Sequence, residues 1–311
     1  MSPRWGADRV LVVAALGGNA LLRRGEPMTA VVQRANAARA ALALAGLVRA
    51  GHDLVITHGN GPQVGLLALQ GAAFRPEAPD PLDMLGAGTE GMIGYLIEQE
   101  LENALSHDRP VATLLTQVVV DPADPAFRHP TKPVGPVYAE AEARTLAAQR
   151  GWTIAPDGPS WRRVVPSPKP VEIPDLRVIR LLLAQGVVVI CAGGGGIPVV
   201  RRADGSLAGV EAVIDKDYAS ALLATSIKAD ALLMLTDVDG VMEGFGTPAA
   251  RRIARLSAVE AGHLVLPAGS MGPKVTAGTN FVASGGRLAG IGRMENAAAI
   301  LNGAAGTVIS A

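Results

Sequence analysis

Short aliphatic runs alternate along the chain with longer alanine-rich segments. The runs are rich in β-branched residues and have the length of buried strands. They lie at residues 10–16, 54–57, 111–120, 187–192, 231–236 and 288–291. The alanine-rich segments have the length and apolar spacing of helices, and they lie at residues 28–50, 82–106, 217–229, 273–284 and 294–302.

This alternation predicts an α/β fold. Strands that are apolar on every position are buried on both faces, as in a parallel sheet covered by helices on each side. The expected architecture is a three-layer αβα sandwich with a mainly parallel central sheet. Ligands of such folds gather at the carboxyl ends of the strands.

Residues 121–170 interrupt the alternation. The segment is dense in proline, holds Trp152 and Trp161, and has one helix-like stretch at residues 139–150. We expect a small protruding subdomain, with these tryptophans, Val164 and Val165 forming a core of its own. A polar stretch near residues 201–209 predicts a boundary between two lobes, residues 1–205 and residues 206–311.

Composition excludes several classes of protein. Hydrophobic residues make up 49% and charged residues 18%, which argues against disorder. The net charge is zero and basic blocks are lacking, so nucleic acid is not an expected partner. The single cysteine, Cys191, excludes an internal disulfide and favours a reducing, cytoplasmic location. The apolar stretch at residues 181–200 is broken by Gln185 and five glycines, so no membrane association is expected.

Lysine is scarce, since only five of the 28 basic residues are lysines. Three of them, Lys132, Lys216 and Lys274, lie in turn-rich motifs. A lysine carries a compact ammonium that can follow a moving phosphoryl group as a point charge, whereas arginine presents a flat fork. The set therefore suggests phosphate chemistry.

Three glycine-rich turns follow predicted strands, at residues 15–19 (ALGGN), 57–63 (THGNGPQ) and 193–198 (GGGGIP). Glycine lets the backbone approach a ligand closely and presents N–H groups to an anion. Four adjacent glycines cost about 0.5–1 kcal/mol each against alanine in regular structure, so the third turn predicts close contact with a small ligand. We interpret His58 as a structural histidine beneath its loop, in preference to a catalytic base.

Charged motifs lie at three further positions. Residues 215–217 (DKD) begin a predicted helix, where a lysine could reach a phosphate while the carboxylates orient it or a metal. Residues 236–240 (TDVDG) follow a strand and could meet ribose hydroxyls or magnesium. Residues 269–274 (GSMGPK) place Lys274 in the first turn of a helix, where the dipole disfavours a cation unless an anion binds there.

Other chemistries lack their motifs. The chain has no G-x-x-x-x-G-K-[ST], H-E-x-x-H, G-x-S-x-G or C-x-x-C, which argues against P-loop enzymes, zinc proteases, α/β-hydrolases and dithiol chemistry. Gly290-Ile291-Gly292 begins like a dinucleotide fingerprint, but Glu295 stands at the third glycine. A nicotinamide-dependent oxidoreductase is therefore disfavoured.

Taken in order, the motifs LGGNAL, THGNGPQVG, LTQVVVDPADPAF, HPTKPVGP, RRVVPSPKP, AGGGGIPV, GVEAVIDKD, LTDVDGV and GSMGPKV resemble those of carbamate kinases of the amino acid kinase family. The resemblance extends over residues 10–308. It implies an amino acid kinase-like fold and a homodimeric, magnesium-dependent enzyme that interconverts ATP and carbamate with ADP and carbamoyl phosphate. In fermentative arginine catabolism such enzymes run toward ATP.

The resemblance also implies roles for individual residues. The carbamate and phosphoryl site would be lined by Gly17, Gly18, Asn19, Gly59, Asn60, Gly61, Gly194 and Gly195. The nucleotide, ATP or ADP with Mg²⁺, would be held in the C-terminal lobe by Lys216, Thr236, Asp237, Val238, Asp239, Met271, Gly272 and Lys274. The catalytic set would be Lys132, Lys216, Lys274 and Asp215, with Asp215 positioning the lysines and no protein metal ligands assigned.

Lys132 has a particular place in this scheme. Related acetylglutamate-type kinases carry a lysine where this chain has Ala15, and carbamate kinases supply that charge from the protruding subdomain. Some positions depart from the family pattern: Glu90 stands where glutamine is usual, and residues 243–244 and 292–293 also differ. A family member with another small carboxylate or phosphate acceptor, and a nucleotide-binding relative without catalysis, remain alternatives.

Overall fold

The computed structural model describes residues 9–22, 25–75, 77–264, 266 and 271–311, except the side chains of Asn19 and Ala20. Its strands are β1 Leu11–Leu16, β2 Asp53–His58, β3 Val111–Thr113, β4 Gln117–Val120, β5 Lys132–Tyr138, β6 Thr153–Asp157, β7 Ser160–Val165, β8 Pro170–Glu172, β9 Val188–Ile190, β10 Ile197–Arg201, β11 Leu207–Gly209, β12 Ala231–Thr236, β13 Met242–Glu243, β14 Arg251–Arg252, β15 Arg255–Ser257, β16 Leu288–Arg293 and β17 Thr307–Ser310.

Its helices are α1 Gly18–Leu21, α2 Ala30–Arg49, α3 Gly61–Phe74, α4 Leu82–Ala104, α5 Glu140–Arg150, α6 Leu176–Ala184, α7 Lys216–Ser226, α8 Ala258–His263, α9 Met271–Ala283 and α10 Ala297–Leu301. Short 3₁₀ turns lie at Pro125–Phe127, Gly193–Gly195 and Met294–Asn296. Among the described residues, no helix has both the length and the apolar character needed to span a membrane.

Eight strands of the described chain form the central sheet, in the order β15-β17-β16-β12-β1-β2-β9-β3. Neighbours are parallel except for β16 and β17, which are antiparallel. β1 lies between β2, which follows it, and β12, which comes much later in the chain. The order thus reverses beside β1, and the carboxyl ends of β1, β2, β9 and β12 open at one edge, where ligands of such sheets bind.

Helices cover both faces of this sheet. Successive strand residues point to opposite faces: on β1, Val12, Ala14 and Leu16 pack with α2, α4 and α10, whereas Val13 and Ala15 pack with α6, α7 and α9. The three-layer α/β prediction is therefore confirmed.

Three predicted features differ from the structure. The expected strand at residues 111–120 is two strands, β3 and β4, which lie in different sheets. The break at residues 114–116 contains two leucines, so the hydrophobic pattern does not reveal it. Helices α3 and α6 had no predicted counterpart. α3 contains three glycines, and α6 is only nine residues long and runs into the apolar stretch at residues 181–200.

The region near the predicted lobe boundary is ordered. β10 and β11 form an antiparallel hairpin within a second sheet, in the order β11-β10-β4-β8. In the central sheet, strands before residue 205 and strands after it occupy opposite halves and meet where β1 pairs with β12.

Residues 121–170 form a separate three-stranded sheet, β5-β7-β6, with α5 packed on it. The expected core of its own is wrong for Val165, which packs with Val64, Leu82 and Val213 of the main body. Trp152 is only half-buried and lies under the guanidinium groups of Arg150 and Arg163.

This subdomain contacts the body along α3. A Cβ built on Gly65 of α3 would lie 2.0 Å from the Cα of Gly135 on β5, so the two backbones touch. The Val213 N–H donates to the Pro166 carbonyl over 3.0 Å, and Arg163 pairs with Glu211.

Candidate active site

The loops after β1 and β2 touch at the carboxyl edge of the sheet. The Gly17 N–H donates to the Leu235 carbonyl over 2.8 Å, and the Gly59 N–H donates to the Leu16 carbonyl over 3.0 Å. A Cβ on Gly59 would lie 2.9 Å from the nitrogen of Gly18, so glycine is required for this approach. A Cβ on Gly18 would meet no heavy atom within 4 Å, which leaves that position facing open space.

The four-glycine turn after β9 is packed against protein atoms. A Cβ on Gly193 would lie 2.4 Å from His58 Nε2, and one on Gly194 would lie 2.1 Å from Asn60 Nδ2. One on Gly195 would lie 2.3 Å from the Ile214 carbonyl oxygen. Gly194, Gly195 and Gly196 have φ values of 68°, 98° and 84°. Packing and backbone conformation thus account for the run of glycines, and ligand contact by Gly194 and Gly195 stays a prediction.

His58 is enclosed beneath these loops. It is fully buried, and its Nδ1 lies 3.2 Å from the Gly59 carbonyl oxygen. Burial lowers the pKa of His58 to about 4, partly offset by the Gly59 carbonyl. The imidazole is therefore neutral at neutral pH and closed off from solvent, which agrees with a structural role.

The three lysines meet at the start of α7. Lys216 Nζ lies 2.6 Å from Asp217 Oδ1, and Lys274 Nζ lies 2.9 Å from Asp217 Oδ2. Lys132, at the first residue of β5, reaches from the subdomain to Asp215 Oδ2 over 2.5 Å. The side chains of Lys216 and Lys274 are 11% and 6% exposed, against 35% for Lys132. Two carboxylates with one residue between them, Asp215 and Asp217, therefore hold three ammonium groups.

The two aspartates have different tasks in this arrangement. Asp215 is the N-cap of α7, where its Oδ1 accepts the Asp217 N–H over 2.9 Å, and of the three lysines it contacts Lys132. Asp217 holds the other two. Burial acts to raise the pKa of Asp217, but the ammonium groups of Lys216 and Lys274 outweigh it and hold the pKa well below its usual range. Burial lowers the pKa of Lys216, while Asp217 opposes that shift.

Direct contacts join the lysine cluster to the glycine loops. Ile214, whose carbonyl packs against Gly195, immediately precedes Asp215. Ser220, on the first turns of α7, lies between the two regions: its Oγ is 2.7 Å from the Lys216 carbonyl oxygen and 2.6 Å from the hydroxyl of Thr57 on β2. The loops and the lysines are therefore parts of one site.

Four of the other residues predicted to hold the nucleotide, at positions 236–239, lie at the end of β12 or directly after it, on the other side of β1. Thr236 ends β12 beside Gly17, and its hydroxyl donates to Asp237 over 3.1 Å. Asp239 accepts a hydrogen bond from Arg293 Nε over 2.5 Å, and both side chains are exposed. Val238 lies between the two aspartates and is half-buried.

Met271 and Gly272 begin α9, one turn before Lys274. Gly272 borders a cavity of about 440 Å³ between α8 and α9, lined also by Ala261, Gly262, Leu264, Leu266, Val275, Thr276, Thr279 and Asn280. The Thr279 hydroxyl is buried there without a hydrogen-bond partner among the described residues. The side chain of Asn19 and the residues Gly269 and Ser270 of the GSMGPK motif lie outside the described residues.

The structure identifies site residues that the motifs did not single out. Asp217 holds two lysines, and Thr89 and Glu90 of α4 bind the loops after β2 and β9. Asp217 lies inside the DKD motif at residues 215–217. The sequence did not show that Asp217 is buried at the start of α7, where it can hold two lysines. Glu90 could have been singled out from the sequence, because it departs from the family pattern.

Comparisons with known proteins agree with these motifs. The family model for the amino acid kinase family matches residues 10–291. The carbamate kinase of Rhizobium meliloti is 56% identical over 301 residues, covering 96% of this chain and 93% of that protein. The carbamate kinase of Haemophilus influenzae is 52% identical over 299 residues, covering 96% of each.

Solved structures give the same result. The structure of carbamate kinase from Giardia lamblia bound to AMP-PNP matches with a TM-score of 0.87 and 40% identity, covering 98% of this chain and 99% of that one. With matches of this identity over nearly its whole length, the chain belongs to the amino acid kinase family and, within it, to the carbamate kinases.

Proposed function

We propose that the chain transfers a phosphoryl group reversibly between ATP and carbamate, giving ADP and carbamoyl phosphate. The observation that carries the proposal is the meeting of Lys132, Lys216 and Lys274 beside the glycine loops after β1 and β2. Phosphoryl transfer needs positioned reactants and neutralised charge on the transferred group, with little covalent chemistry from the protein.

The proposed chemistry assigns each part of the site a task. A carbamate oxygen attacks the terminal phosphorus of ATP, and the bond from that phosphorus to the bridging oxygen breaks as ADP leaves. Lys216 and Lys274 stabilise the nucleotide phosphates, and Lys132 follows the transferred group from the subdomain. The glycine loops after β1 and β2 would hold the acceptor. The carbamate oxygen is already anionic, so no general base is required, in keeping with the buried, neutral His58.

Magnesium would enter with the nucleotide. Among the described residues, no group of three His, Cys, Asp or Glu side chains is placed to hold a metal ion. Asp215 and Asp217 are already paired with lysines. Mg²⁺ commonly binds substrate phosphates with few protein ligands, so the phosphates and water would supply most of its ligands here.

The test is ATP formation from ADP and carbamoyl phosphate, followed with a coupled assay. Lys132→Ala should reduce kcat/KM by roughly 10² to 10³, the scale of removing one well-placed charged donor. Lys169→Ala removes an exposed lysine near the end of the same subdomain segment and serves as the control, with activity near that of the unmodified chain. Normal turnover by Lys132→Ala would reject the role of this lysine.

Two outcomes would favour the alternatives. Binding of ADP without turnover would indicate a nucleotide-binding relative that lacks catalysis. Turnover of ATP with another small carboxylate, and none with carbamate, would indicate a different acceptor.

We also propose that the enzyme acts as a homodimer. Met92 and Tyr95 of α4 and Leu115 after β3 are exposed apolar side chains beside the edge strand of the central sheet. A second copy is the occupant we propose for this surface. Light scattering should give twice the chain mass, and Tyr95→Glu should shift it toward the monomer; a monomeric unmodified chain would reject the proposal. The resemblance further suggests a cytoplasmic enzyme of arginine catabolism that runs toward ATP.

A further inference from the structure

Two adjacent residues of α4 bind three separate segments around the site. The Asn60 Nδ2 donates to the Thr89 hydroxyl over 2.8 Å. The Gly193 N–H donates to Glu90 Oε1 over 2.7 Å, and the Thr116 N–H donates to Glu90 Oε2 over 3.2 Å. Thr89 and Glu90 are both buried, so these bonds are shielded from water.

We propose that Thr89 and Glu90 form a positioning element for the acceptor side of the site, and that Glu90 needs its carboxyl group because both of its oxygens accept a main-chain hydrogen bond. The proposal rests on the proposed function, since it assigns the loops after β2 and β9 to the acceptor.

The two loops are close enough for small displacements to matter. A Cβ on Gly194 would lie 2.1 Å from Asn60 Nδ2, so the second loop already touches the first. Thr89 fixes the Asn60 side chain, and Glu90 fixes the residue before Gly194. The separation of the two loops is therefore set from one turn of α4. A misplacement of a reacting group by about 1 Å can lower the rate by roughly 10²-fold. The separation of the two loops should therefore affect the rate of phosphoryl transfer.

The helix that carries the pair is well anchored. α4 is 23 residues long, and its Ile93, Ile97 and Leu101 pack in the large core against α2. The Thr89 hydroxyl also lies 3.0 Å from the Leu85 carbonyl oxygen one turn earlier, so its orientation is restricted. An element built on a rigid helix can hold loops more accurately than loops hold each other.

The chemistry at position 90 distinguishes a carboxyl group from an amide. A glutamine side chain offers one acceptor oxygen and one NH₂ donor group. With either orientation, its NH₂ would face the N–H of Thr116 or of Gly193, and one main-chain donor would lose its partner. Burial raises the pKa of Glu90 to about 8, so the group is largely uncharged at neutral pH. A protonated carboxyl group keeps lone pairs on both oxygens, so both N–H bonds persist without a buried charge.

Steady-state kinetics would test the proposal. Glu90→Gln and Thr89→Val should raise KM for carbamoyl phosphate about tenfold to a hundredfold. KM for ADP should change less than about twofold, because residues 236–239, which are proposed to hold the nucleotide, lie at the end of β12 or directly after it, on the other side of β1. Thr89→Ser keeps the hydroxyl and should return KM close to that of the unmodified chain. Glu100→Gln, on the same helix, is the matched control for position 90. Equal changes in both KM values, or none, would overturn the positioning role.

A second measurement does not depend on turnover. Hydrogen exchange of the amides of Gly193 and Thr116 should be slow in the unmodified chain. In Glu90→Gln the amide that loses its partner should exchange at least about tenfold faster, since a broken hydrogen bond exposes it to exchange. If the unmodified chain makes no ATP from carbamoyl phosphate, the proposed function fails while the exchange data still decide the positioning. Equal protection of both amides in the two chains would overturn the positioning whatever the kinetics.

Discussion

The lysine cluster and the glycine loops lie on neighbouring sides of one site but are held in place by opposite means. At the start of α7, attraction between charged side chains fixes the geometry: two carboxylates hold three ammonium groups. In the loops, the absence of side chains fixes it, because protein atoms occupy the space that a Cβ would need at Gly59, Gly193, Gly194 and Gly195.

This difference indicates how each side works. A lysine paired with a carboxylate can exchange that partner for a phosphate when a nucleotide binds, so the cluster is suited to follow charge as it moves. A loop that is confined by closely packed protein atoms cannot rearrange cheaply. The loops therefore act as a rigid template, and the lysines act as the adjustable electrostatic part of the site. Substitutions should separate these two behaviours.

Asp217→Asn should have the largest effect on stability. The change leaves Lys216 and Lys274 buried without their carboxylate, and breaking a buried ion pair commonly costs about 3–5 kcal/mol. Urea unfolding should detect this loss. Lys132→Ala is the contrasting variant, since its pair with Asp215 is partly exposed and should be worth no more than about 1 kcal/mol. A free energy of unfolding for Asp217→Asn within 1 kcal/mol of the unmodified chain would contradict the charge-held description.

Gly195→Ala should have the next largest effect, lowering the free energy of unfolding by about 2–4 kcal/mol. It tests directly whether the glycine loops form a rigid template. The residue has a φ of 98°, and a Cβ would lie 2.3 Å from a main-chain carbonyl oxygen, so backbone strain and overpacking add. Gly46→Ala is the matched control, because that glycine lies within α2 and a Cβ there meets nothing within 4 Å. It should stabilise the helix by up to about 1 kcal/mol. Equal stability of the two variants would show that the loop has room to move.

The central sheet was predictable from the sequence because its strands are apolar on both faces, and this pattern survives at β1, β2, β9, β12 and β16. The pattern failed where tertiary contacts decide the structure. Nothing in the apolar residues 114–116 shows that the chain leaves one sheet for another. The helix α3 was not predicted, and one of its three glycines, Gly65, is required by the approach of Gly135.

The site was predictable in composition and less so in geometry. Scarcity of lysine identified Lys132, Lys216 and Lys274, which the structure brings together. Their partners could not be assigned in advance, because the sequence does not show which lysine folds against Asp215 and which against Asp217. The glycine-rich turns were interpreted through ligand contact, while their contacts with His58, Asn60 and Ile214 depend on packing between distant segments.

The stability of the glycine side should depend on pH through Glu90. Burial raises the pKa of Glu90 from 4.5 to about 8 in the folded chain. Between pH 4.5 and pH 8 the folded chain therefore keeps a proton that the unfolded chain has released. Stability is therefore lost as pH rises through this window and levels off above pH 8. His58, whose pKa is lowered from 6.5 to about 4, changes the stability mainly below pH 6.5, and its contribution is the same in the unmodified chain and in Glu90→Gln. Between pH 6.5 and 8 the unmodified chain should lose about 2 kcal/mol more of its free energy of unfolding than Glu90→Gln does.

Urea unfolding at a series of pH values would measure this dependence. Asp175 and Cys191 also lie close enough to interact with Glu90, so the comparison is made between variants, where their contributions largely cancel. Glu100→Gln should follow the unmodified chain. Parallel pH profiles for the unmodified chain and Glu90→Gln would place the titration at another group.

The reactivity of Cys191 tests the difference between the glycine loops and the lysine cluster, and this test has the smallest expected effect. The thiol is fully buried at the end of β9, two residues before Gly193, and burial raises its pKa well above the usual range, with Glu90 and Asp175 acting in the same direction. A thiol reagent should therefore react slowly with the folded chain and modify one thiol per chain after unfolding, because the thiolate is the reactive form. Gly195→Ala, which opens the template, should speed the reaction at least about tenfold, whereas Lys132→Ala should leave it unchanged because the ion pair it removes does not shape the loop. Equal rates in both variants would mean that the loop beside Cys191 is not held by steric exclusion.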